Sequence, residues 1–152
     1  MSEVGVQILD IDRVLVATND LEESAGSFQE LLDLSFGATV DPAAEPVANK
    51  TSRIGLEFVS GEDGSAVETF LETNGPGLYA LSLEVANAAA AREVLSERGV
   101  EPVDEMEFEG FRELFYHPSS FEGVLLVLTE YDRPHPAVSA AEAAGWTQVE
   151  DE

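Results

Sequence analysis

With no cysteine in the chain, any chemistry must come from carboxylates, a few arginines and two histidines. Thiolate nucleophiles, thiolate zinc sites and a disulfide framework are excluded at once. Arg13 draws attention first, because it sits inside the strand-like run IDRVLVA. A guanidinium at the centre of a strand must meet a carboxylate or an anion, or bear a heavy desolvation cost. Two chemistries follow: a fork-shaped grip on a substrate carboxylate or phosphate, or an internal pair with Glu68 or another acid. The second is favoured by the supply of 31 carboxylates. His117, in FYHP at a strand-end turn, is placed for general acid, general base or ligand work. The plainer job of holding the turn is favoured for it, and His135, between two prolines, is read as exposed or as a packing contact. Arg112 and Glu113 begin one strand on opposite faces, both solvated, and Arg53 is an edge residue. Glu57 and Glu84 alternate with apolar neighbours and read as solvent-face acids. Phe58, Phe70, Tyr79 and Phe115 either line a pocket or fill the core, and core is favoured. No G-x-G-x-x-G, P-loop, G-x-S-x-G or H-E-x-x-H is present, and NGPG (74–77) is a joining turn, not a phosphate cradle.

The elements that would carry these residues recur. Ile8 to Val16 reads as a strand, and Asn19-Asp20 caps a helix with Glu22 and Glu23 in its first turn. Leu21, Ala25, Phe28, Leu31 and Leu32 fall on one face of that helix. Residues 41–50 read as a polar, proline-containing loop, followed by strands over Arg53–Val59 and Ser65–Glu72 joined by the hairpin signal GEDG (61–64). After TNGPG (73–77) the pattern restarts: a strand over Leu78–Val85, a helix from Asn87 to Arg98-Gly99, and strands over 101–108, 111–116 and 123–129. An offset of 67 pairs Val14 with Leu81, Val16 with Leu83, Asp20 with Asn87 and Phe28 with Leu95. This is an internal duplication of pattern. The expected fold class is α+β: two tandem βαβββ modules, 8–74 and 75–131, sharing one core in a single domain (1–131) and forming curved mixed sheets around a central cleft. Residues 132–152 form an acidic tail, with a short capped helix over Ser139–Ala144 and Trp146 free to dock or fray.

The charge narrows the class of partner. Thirty-one acids against 7 basic residues give a formal −24. No basic patch exists to displace counterions from nucleic acid, and anionic membrane surfaces are equally unsuitable. No apolar run approaches the roughly 20 residues of a membrane span. The opening MSEVGVQILD is read as lacking a secretory signal, so the expected location is cytoplasmic. Carboxylates spread among segments as apolar as GVLLVL (123–128) suit a salt-accumulating, haloarchaeal cytoplasm. There the Debye length falls to about 3 Å and self-repulsion largely vanishes.

Tandem βαβββ units opened by IDRVLVATNDLEES (11–24), with GPGLYALSLEV (75–85) and FRELFYHPSSFEGVLLVLTE (111–130), resemble the vicinal oxygen chelate superfamily. Within it the likeness is to the epimerase and glyoxalase branch. The resemblance covers about residues 8–131 and speaks for the fold more than for an activity. It implies a divalent metal between two sheets, held by N and O ligands with positions left for substrate oxygens. Carried over residue by residue, the first histidine position holds Arg13 and the second Ala80, while the last-strand glutamate falls on Val127. The remaining ligand lands on Glu68 or Thr69, according to strand parity. A guanidinium has no lone pair to offer, and a catalytic site needs about three protein ligands. The resemblance therefore implies a degenerate metal site and no expected cofactor.

Three readings of function follow. The first is a metal-free domain that binds a small organic molecule or anion, with Arg13, Glu68, Thr69, Tyr79, Arg112 and His117 as candidate contacts. In the second, a metal-dependent epimerase or glyoxalase-type isomerase, the cofactor would be a divalent ion. The third is a non-catalytic domain that dimerises or binds a partner. Homodimers are an expectation from the family resemblance alone.

Overall fold

The computed structural model describes residues 6–37, 39, 47–52, 54–61, 64–108 and 111–131. Within these residues run seven strands and three helices: β1 (Ile8–Ala17), α1 (Leu21–Leu32), β2 (Val47–Thr51), β3 (Leu56–Gly61), α2 (Ala66–Asn74), β4 (Gly77–Val85), α3 (Ala88–Glu97), β5 (Asp104–Phe108), β6 (Phe111–Tyr116) and β7 (Leu125–Tyr131). The fold is mixed α+β. Among the described residues the contacts divide it into two units, one over 14–79 and one joining 6–13 with 80–131.

In the Val14–Tyr79 unit the strands lie in the order β2–β3–β1. β3 runs parallel to β1, with Val16 beside Phe58, and antiparallel to β2, with Thr51 beside Glu57. Asp20 starts α1 by accepting the Glu23 amide at 3.0 Å. The helix buries Leu21 and Ala25 against Phe58, whose ring meets Phe28 edge-on at 5.0 Å. Leu31 and Leu32, expected on the buried face, are instead 76% and 61% exposed in the last turn of α1, before the left-handed Asp33 that ends it.

Three expectations are corrected here. Part of the expected loop over 41–50 is strand β2, antiparallel to β3, and Gly55, at a positive φ just before β3, donates to the Ser52 carbonyl at 3.2 Å. The segment 65–72 is not a strand but most of α2, so GEDG joins a strand to a helix. The signal was Ser65-x-x-Glu68: Ser65 Oγ accepts the Glu68 amide at 3.0 Å, and Glu68 Oε1 accepts the Gly64 amide at 2.7 Å. Strand alternation over AVETFL was weaker than that cap. Arg53, Glu62 and Asp63 lie outside the described residues, as do 40–46 and the tail over 132–152, with its His135, Trp146 and expected helix.

In the other unit β4, β7, β6 and β5 lie side by side, β4 and β7 parallel and the rest antiparallel. The order strand–helix–three strands is the one expected for 75–131. Leu114, Tyr116, Leu126 and Leu128 pack under Ala88 and Ala91 of α3. Asn87 caps α3 from φ −152°, ψ 106°, almost the conformation of Asp20 (φ −148°, ψ 103°), as the offset of 67 requires. A second cap comes from β7, where Glu130 Oε1 accepts the Ala88 amide at 2.7 Å. Among the described residues no helix is long and apolar enough to cross a membrane.

Candidate functional site

Alternation along the strands sends Ser82 of β4, Thr129 of β7 and Glu113 of β6 to the same face of their unit, opposite the one that packs on α3. Arg13 of β1 reaches into this group and is 6% exposed. Its Nη2 donates to Glu113 Oε2 at 2.6 Å, and its Nε donates to Asp12 Oδ2 at 2.7 Å. Ser82 Oγ donates to Asp12 Oδ2 at 2.9 Å and shares a 2.8 Å hydrogen bond with Thr129 Oγ1. The Tyr131 hydroxyl donates to both Asp12 oxygens, at 2.9 and 2.8 Å. Burial pushes this phenol far above its ordinary pKa. The Asp12 carboxylate adds to the rise, against the lowering pull of Arg13. Tyr131 is therefore a fixed donor over the whole working pH range.

Among the described residues the Arg13 guanidinium lies between the Asp12 and Glu113 carboxylates, which meet its charge. Arg13 pairs with Glu113 and Asp12, within the expectation of Glu68 or another internal acid. Glu113, expected in solvent, is 5% exposed, and Glu57, also expected in solvent, is 2% exposed. Both were misread because a strand with polar alternation can bury its polar face when partners wait there. Arg112 does take the face opposite Glu113, and it pairs with Glu105 at 3.3 Å. Glu105 is held below its usual pKa chiefly by its hydrogen bond from Arg92.

The other candidates are dispersed. Glu68 and Thr69 stand on α2, where Thr69 Oγ1 donates to the Ser65 carbonyl at 3.2 Å, so strand parity no longer applies to them. The Tyr79 ring meets Phe70 edge-on at 5.2 Å, and burial raises its phenol pKa. His117 is exposed, and its Nδ1 accepts the Ser119 amide at 3.0 Å, which is the turn-holding role. Asp12, Ser82, Thr129 and Tyr131 were not singled out in the sequence. For Ser82, Thr129 and Tyr131 the signal was a hydroxyl at alternate strand positions, as in LSL (81–83) and VLTEY (127–131), and Asp12 stands next to Arg13.

The metal implied by the family resemblance does not fit these residues. Arg13 has donors only, and Ala80 and Val127, at 8% and 1% exposure, offer hydrocarbon. Among the described residues no group of three or more His, Asp or Glu side chains is arranged to hold an ion.

Residues 12–115 match the family model described as the Glyoxalase/Bleomycin resistance protein/Dioxygenase superfamily. The chain belongs to this superfamily, the vicinal oxygen chelate group. The mitochondrial methylmalonyl-CoA epimerase of Dictyostelium discoideum is 31% identical over 132 residues, covering 79% of this chain and 77% of that protein. Among solved structures, a methylmalonyl-CoA epimerase in complex with methylmalonyl-CoA and NH4+ superposes with a TM-score of 0.76 at 21% identity, over 83% of this chain and 96% of that one. The Mycobacterium tuberculosis epimerase gives 0.75 at 22% identity, over 93% and 97%. At such identities these superpositions speak for the vicinal oxygen chelate fold alone.

Proposed function

We propose that this member of the superfamily binds a small organic molecule without a divalent metal. The observation that carries the reading is the 2.6 Å contact between Arg13 and Glu113, at the position where the resemblance puts the first metal-binding histidine. A protonated guanidinium has no lone pair to give a metal ion, and it already engages Asp12 and Glu113, the acids beside that position. Because Glu113 and Asp12 already engage Arg13, an anionic ligand would compete with two charge-assisted bonds, and an uncharged or donor-bearing ligand is favoured. No cofactor is part of this reading. We place the protein in a high-salt cytoplasm, with the acidity as habitat and a second copy of the chain as its expected partner.

The activity of the methylmalonyl-CoA epimerases it resembles favours a second reading, a coenzyme A thioester epimerase or glyoxalase-type isomerase. One experiment separates the two. The protein is purified in molar KCl, its metal content is measured, and methylmalonyl-CoA epimerisation is followed with and without a chelator. The metal-free reading expects far less than one ion per chain and no chelator-sensitive turnover. Stoichiometric metal together with turnover lost to the chelator would overturn it.

A further inference from the structure

The joining turn NGPG (74–77) begins where α2 ends. Asn74 is the last residue of the helix and is exposed, and Gly75 follows it at φ 77°, in the left-handed region that glycine enters without strain. The chain has four asparagines, Asn19, Asn49, Asn74 and Asn87, and only Asn74 precedes a glycine. That pairing has a chemistry of its own. With no Cβ on residue 75 to obstruct it, the main-chain nitrogen of Gly75 can close on the Asn74 side-chain amide carbon as a five-membered ring. Among the described residues nothing beyond its chain neighbours lies within 4 Å of the place a Gly75 Cβ would take, so the peptide stands open to water.

Two hydrogen bonds hold the reacting groups off that path. Gly75 N–H donates to the Leu71 carbonyl at 2.8 Å, and Asn74 Nδ2 donates to the Phe70 carbonyl at 3.3 Å. The nucleophile is the deprotonated peptide nitrogen, so its N–H must leave Leu71 before base can take the proton. The amide carbon must likewise turn from Phe70 towards Gly75. Both conditions are met when the last turn of α2 opens. That turn holds no basic residue, and Glu72 within it lies at the negative end of the helix dipole, which favours opening.

We infer that Asn74 is a spontaneous modification site, converted through a succinimide to aspartate and isoaspartate at a rate set by the opening of this turn. Hydroxide takes the Gly75 amide proton and the nitrogen bonds to Asn74 Cγ. The Cγ–Nδ2 bond then breaks, and Nδ2 leaves as ammonia with a proton from water. Water opens the ring at either carbonyl, and nothing is oxidised or reduced. The product carries one more carboxylate at the helix end, and isoaspartate adds a methylene to the main chain ahead of β4.

The test incubates the full chain in mildly alkaline molar KCl beside the same chain unfolded in guanidinium chloride. Peptide mapping by mass spectrometry follows the exchange of ammonia for water at each asparagine. In the unfolded chain Asn74 should convert well ahead of the other three. In the folded chain it should convert about 5–30-fold more slowly, the worth of one or two hydrogen bonds. Hydrogen exchange of the Gly75 amide measures the opening independently, and its protection factor should equal that ratio within error. Lowering the KCl concentration should move both quantities together. Asn74→Gln, which would need a six-membered ring, should fold as the parent does and stay unconverted. The inference is overturned if Asn74 converts no faster than the other asparagines in the unfolded chain, or equally fast in both states. It is also overturned if the Gly75 amide exchanges freely while Asn74 stays intact, or if Asn74→Gln converts like the parent.

Discussion

Replacing Arg13 with methionine keeps most of its volume and removes the guanidinium that contacts both Asp12 and Glu113, two carboxylates whose side chains are 12% and 7% exposed. Breaking a buried pair on one side leaves uncompensated charge and costs about 3–5 kcal/mol. For a chain of this size each kcal/mol lowers the melting temperature by roughly 2–4 °C, so Arg13→Met should melt about 6–20 °C below the parent. Replacing both partners, Arg13→Met with Glu113→Leu, removes the opposed charges together and should recover at least about 2 kcal/mol relative to the sum of the single changes. The recovery stays incomplete, because Asp12 keeps only its Ser82 and Tyr131 donors. The assay is a double-mutant cycle by denaturant unfolding at fixed molar KCl, followed by far-UV circular dichroism. A loss below about 1 kcal/mol for Arg13→Met, or strict additivity in the cycle, would refute the claim that this guanidinium is held by buried internal acids.

Three further outcomes are expected. All three tyrosines have phenol pKa values raised by burial, so the folded state holds protons that the unfolded state releases near pH 10. Stability from this source is complete below about pH 10 and declines above it, and phenolate absorbance should appear together with loss of the circular dichroism signal, not before it. Tyr116 is fully buried and its hydroxyl has no partner, so Tyr116→Phe should stabilise the protein by about 1 kcal/mol in the same unfolding assay. Asp20→Ala and Asn87→Ala remove caps of matching geometry and should each cost about 1 kcal/mol, equal within error. A large inequality would show that the two helix starts are not equivalent.

Periodicity revealed those elements whose local signals agreed. α1 and α3 were legible because a cap residue, an apolar stripe and a terminating residue all pointed the same way, and β4 and β6 because their apolar runs were bounded by turn residues. The segment 65–72 was misread because its hydrophobic pattern is short enough to suit either state, and the glycines of GEDG beside it signal a hairpin where the Ser65–Glu68 capping box decides for a helix. β2 was missed because VANKT has a single strong strand former besides Thr51, and its pairing with β3 supplies what propensity lacks. At the site, Arg13 was visible as an anomaly and the need for an acid followed from its charge. Which acid answered was not legible, since Glu113 lies 100 residues away and only the register Glu113↔Thr129 sets it on the right face.

β7 alternates its duties residue by residue. Thr129 and Tyr131 serve the Arg13 cluster, while Glu130 between them holds the first amide of α3. A shift of that strand by a fraction of an ångström to follow a rearranged cluster cannot leave the helix start unmoved. The Ala88 amide proton thus works as a strain gauge on the far side of the sheet, readable by hydrogen exchange without any label near the buried charges.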